Sequence, residues 1–347
     1  INIHFIEKFL GRLFTTGHER TVKAKKNIVA MFGLHGITAM VNFLLVPLTL
    51  SYLDSNRYGL WLTLSSIIGW VSFLDVGLGN GFRNKFAEAV AQGREDLARI
   101  YVSTYAVITA IMISCAVIFA ALNPFLRWAS ILNTSPAMES ELSTLALVAF
   151  IFFAARMVFG LIGTLLISLQ RPAMSGAIDA VTSILSLAVI YLLTKTVPGS
   201  LFVLGATMTV IGAAVPMLAN VYFFLTKYKK FTPSLRCVDL SHTRELLGVG
   251  LQFFVLQLTG VVVFSTANII IAQLYGPAEV TPYNIAFKYY GIALLGFTVI
   301  LTPFWSANTD AYVRGDIAWI ERATRHLKKY WLFLMVVLIA MTLTSDV

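Results

Sequence analysis

Cysteine is nearly absent. Cys115 lies inside an apolar run and Cys237 in a basic segment, so the chain can form neither a disulfide framework nor a Cys-based zinc site, and redox chemistry has no dithiol pair to run on. Charge is scarce as well. Only 12% of the 347 residues are Asp, Glu, Lys or Arg, against 58% hydrophobic, and the mean hydropathy is +0.79. A soluble surface needs far more charge than that, so the solvent for most of this chain is lipid. Acidic residues are outnumbered, leaving a net charge of +9. The basic residues sit in short segments between apolar runs rather than on one face, which argues for a membrane surface and against nucleic acid. Catalytic constellations are missing too. The segment 124–140, the longest on its side, carries Arg127 and Glu139 as its only charges, and the basic segments hold no metal or sugar-nucleotide motif. This excludes an enzyme acting in those segments and calls for no cofactor and no metal. The run Gly77-Leu78-Gly79-Asn80-Gly81 has no strand before it, so its small residues read as helix packing rather than a nucleotide loop.

Long apolar runs fill what remains. A spanning helix needs about 20 mostly apolar residues. Nine segments qualify: 28–53, 58–82, 100–123, 141–169, 173–197, 201–225, 248–274, 282–305, and one beginning near 330. Residues 1–27 set Ile3, Phe5, Ile6, Phe9, Leu10, Leu13 and Phe14 beside Lys8 and Arg12, the pattern of an interfacial helix rather than a cleavable leader. Nine spans are odd for a closed helical carrier. With no initial Met and a Thr-Ser-Asp-Val ending, they predict a fragment lacking several C-terminal helices.

Segments 1–27, 83–99, 170–172, 226–247 and 307–329 hold 21 of the 26 Lys and Arg residues, whereas the other side has Arg57, Arg127 and Lys195. The alternation holds at every connection and predicts a cytoplasmic N-terminus in a bacterial inner membrane. The segments after the second and eighth spans also resemble one another: Phe82, Ala89 and Gly93 match Phe304, Ala311 and Gly315, and Glu88 matches Asp310, at one constant offset of 222. The expected architecture is therefore an all-α integral membrane protein built as a two-lobe bundle of six-helix repeats. Residues 1–27 form an interfacial segment, 28–225 the first lobe, 226–247 a cytoplasmic linker, and 248–347 the start of an incomplete second lobe.

Five ionisable residues fall inside these spans: His35, Asp75, Arg156, Asp179 and Lys288. Each is expensive in lipid and is a functional candidate by default. Counted from the cytoplasmic helix ends, His35, Asp75 and Asp179 lie near one depth, roughly 10 Å inside the boundary at about 1.5 Å per residue, where they could hold a coupling H⁺ or Na⁺. The plainer alternative is that Asp75 caps local backbone and His35 bonds a neighbouring carbonyl. Arg156, near the middle of the fourth span, and Lys288, in the outer third of the eighth, would attract a diphosphate if they face each other across a lobe interface. Arg156 is the better fit because a guanidinium matches phosphate oxygens in a bidentate geometry. Arg156 could instead pair with Asp75 or Asp179, and Lys288 could snorkel outward. Asn284, Tyr283, Tyr289 and Tyr290 adjoin Lys288, where they could contact sugars or form an aromatic belt. Pro47, Pro216 and Pro303 fall within spans, and Pro47 is a candidate hinge.

The segment Leu53-Asp54-Ser55-Asn56-Arg57-Tyr58-Gly59-Leu60-Trp61, followed by Leu74-Asp75-Val76-Gly77-Leu78-Gly79-Asn80, resembles the first two helices of polysaccharide flippases of the O-antigen type. These belong to the multidrug/oligosaccharidyl-lipid/polysaccharide exporter superfamily. The turn Gln170-Arg171-Pro172 is similar to that family's short connection between helices 4 and 5. The resemblance implies a carrier fold like that of multidrug and toxin extruders (MATE-like), with more helices than the nine found here. It implies alternating-access movement of an undecaprenyl-diphosphate-linked oligosaccharide to the periplasmic leaflet, coupled to H⁺ or Na⁺. Membrane lipids, a polysaccharide polymerase and chain-length proteins are its implied partners. The rival expectations are a drug/cation antiporter of the same superfamily, an integral-membrane glycosyltransferase or polymerase, and a noncatalytic scaffold.

Overall fold

The structure is a computed structural model that describes residues 19–70, 78–103, 105–169, 171–239, 266–313 and 317–344, and these residues are helical with no strand among them. The long helices are α1 (Glu19–Tyr52), α2 (Ser55–Gly69), α3 (Leu78–Ala91), α4 (Glu95–Ser103), α5 (Tyr105–Leu122), α6 (Glu139–Ser168), α7 (Pro172–Thr196), α8 (Leu201–Leu225), α9 (Pro277–Val313) and α10 (Ile317–Leu343). Six stretches among the described residues are long and apolar enough to cross a membrane: Gly33–Tyr52, Glu95–Phe125, Pro136–Ser168, Pro172–Thr196, Leu201–Leu225 and Ile320–Leu343. They correspond to six of the nine expected spans. The expected spans 58–82 and 248–274 run over residues outside the described set, as does the interfacial segment before residue 19, and 282–305 lies within α9.

Large apolar side chains such as Ile113, Val117, Val181, Leu192 and Leu218 are exposed along these helices, as a lipid-facing surface requires. The chain forms two compact units, Ile1–Thr281 and Pro282–Val347, so the boundary falls inside α9. In the first unit α6 packs most extensively on α8, and α1 on α7. Two clusters make up its core. One gathers Trp61, Leu64, Trp128, Leu142, Leu145 and Leu204. The other gathers Phe82, Phe86, Tyr101, Leu165, Phe223 and Phe231.

Helix ends follow local chemistry. Asp54 caps α2, its carboxylate accepting the Arg57 amide at 2.8 Å. Pro172 occupies the first turn of α7, where its missing N–H removes nothing, and Ser200 caps α8. The basic connecting segment 83–99 comprises the end of α3 and the start of α4. Phe82, Phe86 and Ala89 are spaced so that one face is buried although the segment is polar overall. Between the two helices Gly93 takes φ 71°. The Gly93 amide donates to Val90 O at 3.1 Å and the Arg94 amide to Ala89 O at 2.9 Å, the paired bonds of a Schellman ending.

The end of the first unit where α1 stops and α2, α6 and α8 start is knitted together by side chains that bond backbone. Tyr52 Oη donates to Pro198 O at 3.1 Å and Arg57 Nη1 to Gly199 O at 3.2 Å. The Glu139 carboxylate accepts the amides of Trp128 and Ala129, both at 2.8 Å, and Glu141 accepts the Phe202 amide at 3.1 Å. Residues 266–281 join the same network. Asn133, whose φ of 50° lies in the left-handed region, donates through Nδ2 to Ala272 O at 3.1 Å, and Gln273 Nε2 donates to Ser130 O at 3.0 Å. Thr281 Oγ1 donates to Ser55 O at 2.8 Å. Gly59 lies so close to Pro277 that only a residue without a side chain fits there.

Candidate functional site

A cavity of about 230 Å³ opens between α6, α7 and α8, with Arg156, Gly160, Gly163, Ser175, Asp179 and Pro216 in its wall. Arg156 projects from the middle of α6. Gly160 and Gly163 follow it one and two turns on and leave the wall bare of side chains. A Cβ on Gly163 would stand 2.9 Å from Ser175 Oγ, so α6 and α7 approach closely there. On the other side Gly212 of α8 makes room for the arginine, since a Cβ there would lie 3.3 Å from Arg156 Nη1. One turn later Pro216 has no amide hydrogen, which deprives the Gly212 carbonyl of its usual helical donor beside the guanidinium.

Arg156 and Asp179 are both exposed and His35 is half-buried. Arg156 and His35 are the basic side chains within electrostatic range of Asp179. Sequence counting put His35 and Asp179 at one depth, and Arg156, read either as a diphosphate contact or as a partner of Asp75 or Asp179, stands in the same cavity wall as Asp179. No ion pair within 4 Å links Arg156 to Asp179; the described ion pairs are Asp54–Arg57, Lys85–Glu88 and Glu95–Lys230. A guanidinium and a carboxylate exposed at mid-span cannot face hydrocarbon cheaply, so this opening is a polar, wettable one. Chemically it offers a planar five-donor cation for an oxyanion and, in the same wall, a carboxylate that can bind H⁺ or a small cation.

Asp75 lies outside the described residues. Lys288 belongs to the second unit, half-buried on α9, with Asn284 one turn before it on the same face. Tyr289 Oη donates to Met341 O at 3.3 Å and Tyr290 Oη to Thr342 Oγ1 at 3.2 Å, and the two rings meet edge to face at 5.3 Å. These hydroxyls tie α9 to α10. Pro47 sits inside α1, which continues past it to Tyr52. Among the described residues no group of three or more His, Cys, Asp or Glu side chains could hold a metal. Sequence reading missed the cavity's glycines, although Gly160, Gly163 and Gly212 on spans with small-residue spacing are a readable signal. It also missed Asn133 and Gln273, whose partners are backbone carbonyls far along the chain.

Residues 24–306 match the family model described as "Polysaccharide biosynthesis protein". A provisionally named O-antigen export protein of Yersinia pseudotuberculosis is 20% identical over 283 residues, covering 81% of this chain and 64% of its own length. A provisionally named O-antigen transporter of Salmonella typhimurium is 23% identical over 287 residues, covering 80% and 63%. The chain thus spans somewhat under two thirds of the curated relatives it matches. Among solved structures, an inward-facing conformation of a multidrug resistance MATE family transporter of the MOP superfamily superposes with a TM-score of 0.68 at 14% identity, over 90% of this chain and 72% of that one. The fold is therefore that of a MATE-like multi-pass membrane protein.

Proposed function

This chain belongs to the polysaccharide biosynthesis protein family, and from that premise we propose that it carries a lipid-linked oligosaccharide, anchored through undecaprenyl diphosphate, across the bacterial inner membrane. The N-terminus is cytoplasmic in this reading, since 21 of the 26 Lys and Arg residues fall in segments on that side. The observation that carries the proposal is Arg156: a guanidinium at mid-span, exposed in a cavity cleared by glycines, in no ion pair among the described residues. A bidentate grip on diphosphate oxygens is what such a group does best. Asp179 then serves two ends. It balances the arginine while no substrate is bound, and with His35 and Asp75 it takes up the coupling H⁺ or Na⁺. Lys288 and Asn284 on α9 supply further contacts to the head group. The network around Asn133, Gln273, Ser55 and Thr281 keeps one end of the path shut, and it parts when the carrier turns the head group out.

A drug/cation antiporter is the second reading, favoured by the acidic Asp179 in the same cavity and by the fold of a multidrug transporter. Complementation separates the two. The full chain is expressed in a strain lacking its polysaccharide flippase, unaltered or with Arg156→Ala, Arg156→Lys or Asp179→Asn, and membrane levels are checked by blotting. The flippase reading expects surface polysaccharide from the unaltered chain, none from Arg156→Ala and partial recovery from Arg156→Lys. Rescue by Arg156→Ala equal to the unaltered chain defeats the cationic site. Failure of the unaltered chain, together with drug resistance that Asp179→Asn abolishes, supports the antiporter.

A further inference from the structure

A second and larger cavity, about 610 Å³, lies on the first unit between α5, α6 and α8, roofed by residues 233–235. Its volume falls within the ~300–1,000 Å³ typical of small-molecule sites. The wall has little to offer a polar ligand. Asn220 spends both amide hydrogens internally, on Phe159 O at 2.6 Å and Pro216 O at 2.8 Å. Ser103 Oγ donates to Arg99 O at 2.9 Å and accepts the Ser234 amide at 3.4 Å. Apart from Thr109 and Ser234 the rest of the lining is apolar, and Ile113, Val221, Leu225 and Leu235 are exposed.

The roof is fixed in place rather than draped. Phe231 is buried and meets Phe86 edge to face at 5.2 Å, Arg99 Nε donates to Thr232 O at 3.3 Å, and Lys230 pairs with Glu95. The groove is thus preformed, and it ends where the apolar stretch Leu201–Leu225 ends. Two cations stand at that end, each beside a lining residue: Lys227, two residues past Leu225, and Arg236, next to Leu235. Both are exposed, and neither is in a described ion pair. An apolar slot with two exposed cations close in sequence to its rim, at a membrane boundary, is complementary to one class of molecule, a lipid whose head carries negative charge.

We propose that this groove is a binding site for an anionic phospholipid, an acyl chain lying along α5 and α8 and the phosphate meeting Lys227 and Arg236. The site is separate from the Arg156 cavity and does not depend on which substrate the protein carries. The full chain, purified in detergent, is titrated with dioleoylphosphatidylglycerol, and in parallel with dioleoylphosphatidylcholine and a polyisoprenyl phosphate, with bound lipid read by native mass spectrometry. Phosphatidylglycerol should be retained over phosphatidylcholine by about tenfold or more. Lys227→Gln with Arg236→Gln should erase that preference. Ala110→Trp, at an exposed lining position where the ring enters the groove instead of the core, should remove binding in a protein that still elutes as a folded species. Should that variant misfold, Ile113→Ser at the exposed mouth carries the same expectation. Equal retention of the two phospholipids, or a preference untouched by the charge variants, overturns the proposal. So does displacement of phosphatidylglycerol by the polyisoprenyl phosphate, which would make the groove a seat for a substrate tail.

Discussion

Gly59→Ala strikes the tightest contact at the knitted end. A Cβ at position 59 would stand 1.7 Å from the Pro277 carbonyl oxygen and 2.7 Å from its carbon. An unstrained C···O contact needs about 3.3 Å or more, so the two backbones must separate by roughly 1.5 Å. That movement breaks the bonds beside it, Thr281 Oγ1 to Ser55 O at 2.8 Å and Ser55 Oγ to Ala278 O at 3.3 Å. At ~0.5–1.5 kcal/mol each, their loss costs about 1–3 kcal/mol, a shift of roughly 5- to 150-fold toward the separated arrangement. The assay follows a cysteine at Thr63, fully buried and one turn from Gly59 on the same helix face, in a chain with Cys115→Ser and Cys237→Ser. A membrane-impermeant maleimide should label it faster by a factor in that range once Gly59 is Ala. Unchanged labelling in folded protein refutes the close approach. An equal rise at a cysteine replacing Leu145, in the core cluster, refutes the idea that the opening is local.

Three further outcomes follow from packing. Gly205→Val should lower the apparent melting temperature in detergent, by about 1–3 kcal/mol of overpacking. A Cβ there already meets Trp61 and Leu145 side-chain atoms at 2.7–2.8 Å, and Leu145→Ala should partly relieve the strain in a double-mutant cycle. Asp54→Ala should cost ~0.5–2 kcal/mol by removing the α2 cap, whereas Asp54→Ser should recover most of it in the same melts. Gly212→Leu should push Arg156 out of its place and reduce complementation, while size-exclusion profiles and melting stay near those of the unaltered chain.

Much of the fold was legible because lipid imposes one rule: backbone must be bonded within the segment, so spans read directly as apolar runs. For that reason six of the expected spans recur as helical stretches long and apolar enough to cross a membrane. Residues 83–99 were read only as a connection between spans, because hydropathy averages over a window, while burial of Phe86 and Ala89 depends on which face they occupy. The site was legible only in part. Depth counting put His35, Asp75 and Asp179 near one level, since rise per residue is fixed along a helix. It could not supply rotation about the helix axis, and so it left open whether Arg156 belongs to a separate cationic site or stands with Asp179. Tyr289 and Tyr290, read beside Lys288 as sugar contacts or as an aromatic belt, place their hydroxyls on α10, a partner fixed by tertiary packing that the sequence does not name. Asn133 gave the faintest signal, a residue type enriched at positive φ, with nothing in the chain to name Ala272 as its acceptor.

The most direct test of the central claim is translocation itself. The full chain, reconstituted into liposomes that carry a fluorescently labelled lipid-diphosphate oligosaccharide in both leaflets, is assayed by how much label becomes accessible to an external quencher over time. The account predicts movement through the unaltered chain, its loss with Arg156→Ala and its partial return with Arg156→Lys, all at matched levels of folded protein. Movement through Arg156→Ala at the unaltered rate would contradict it.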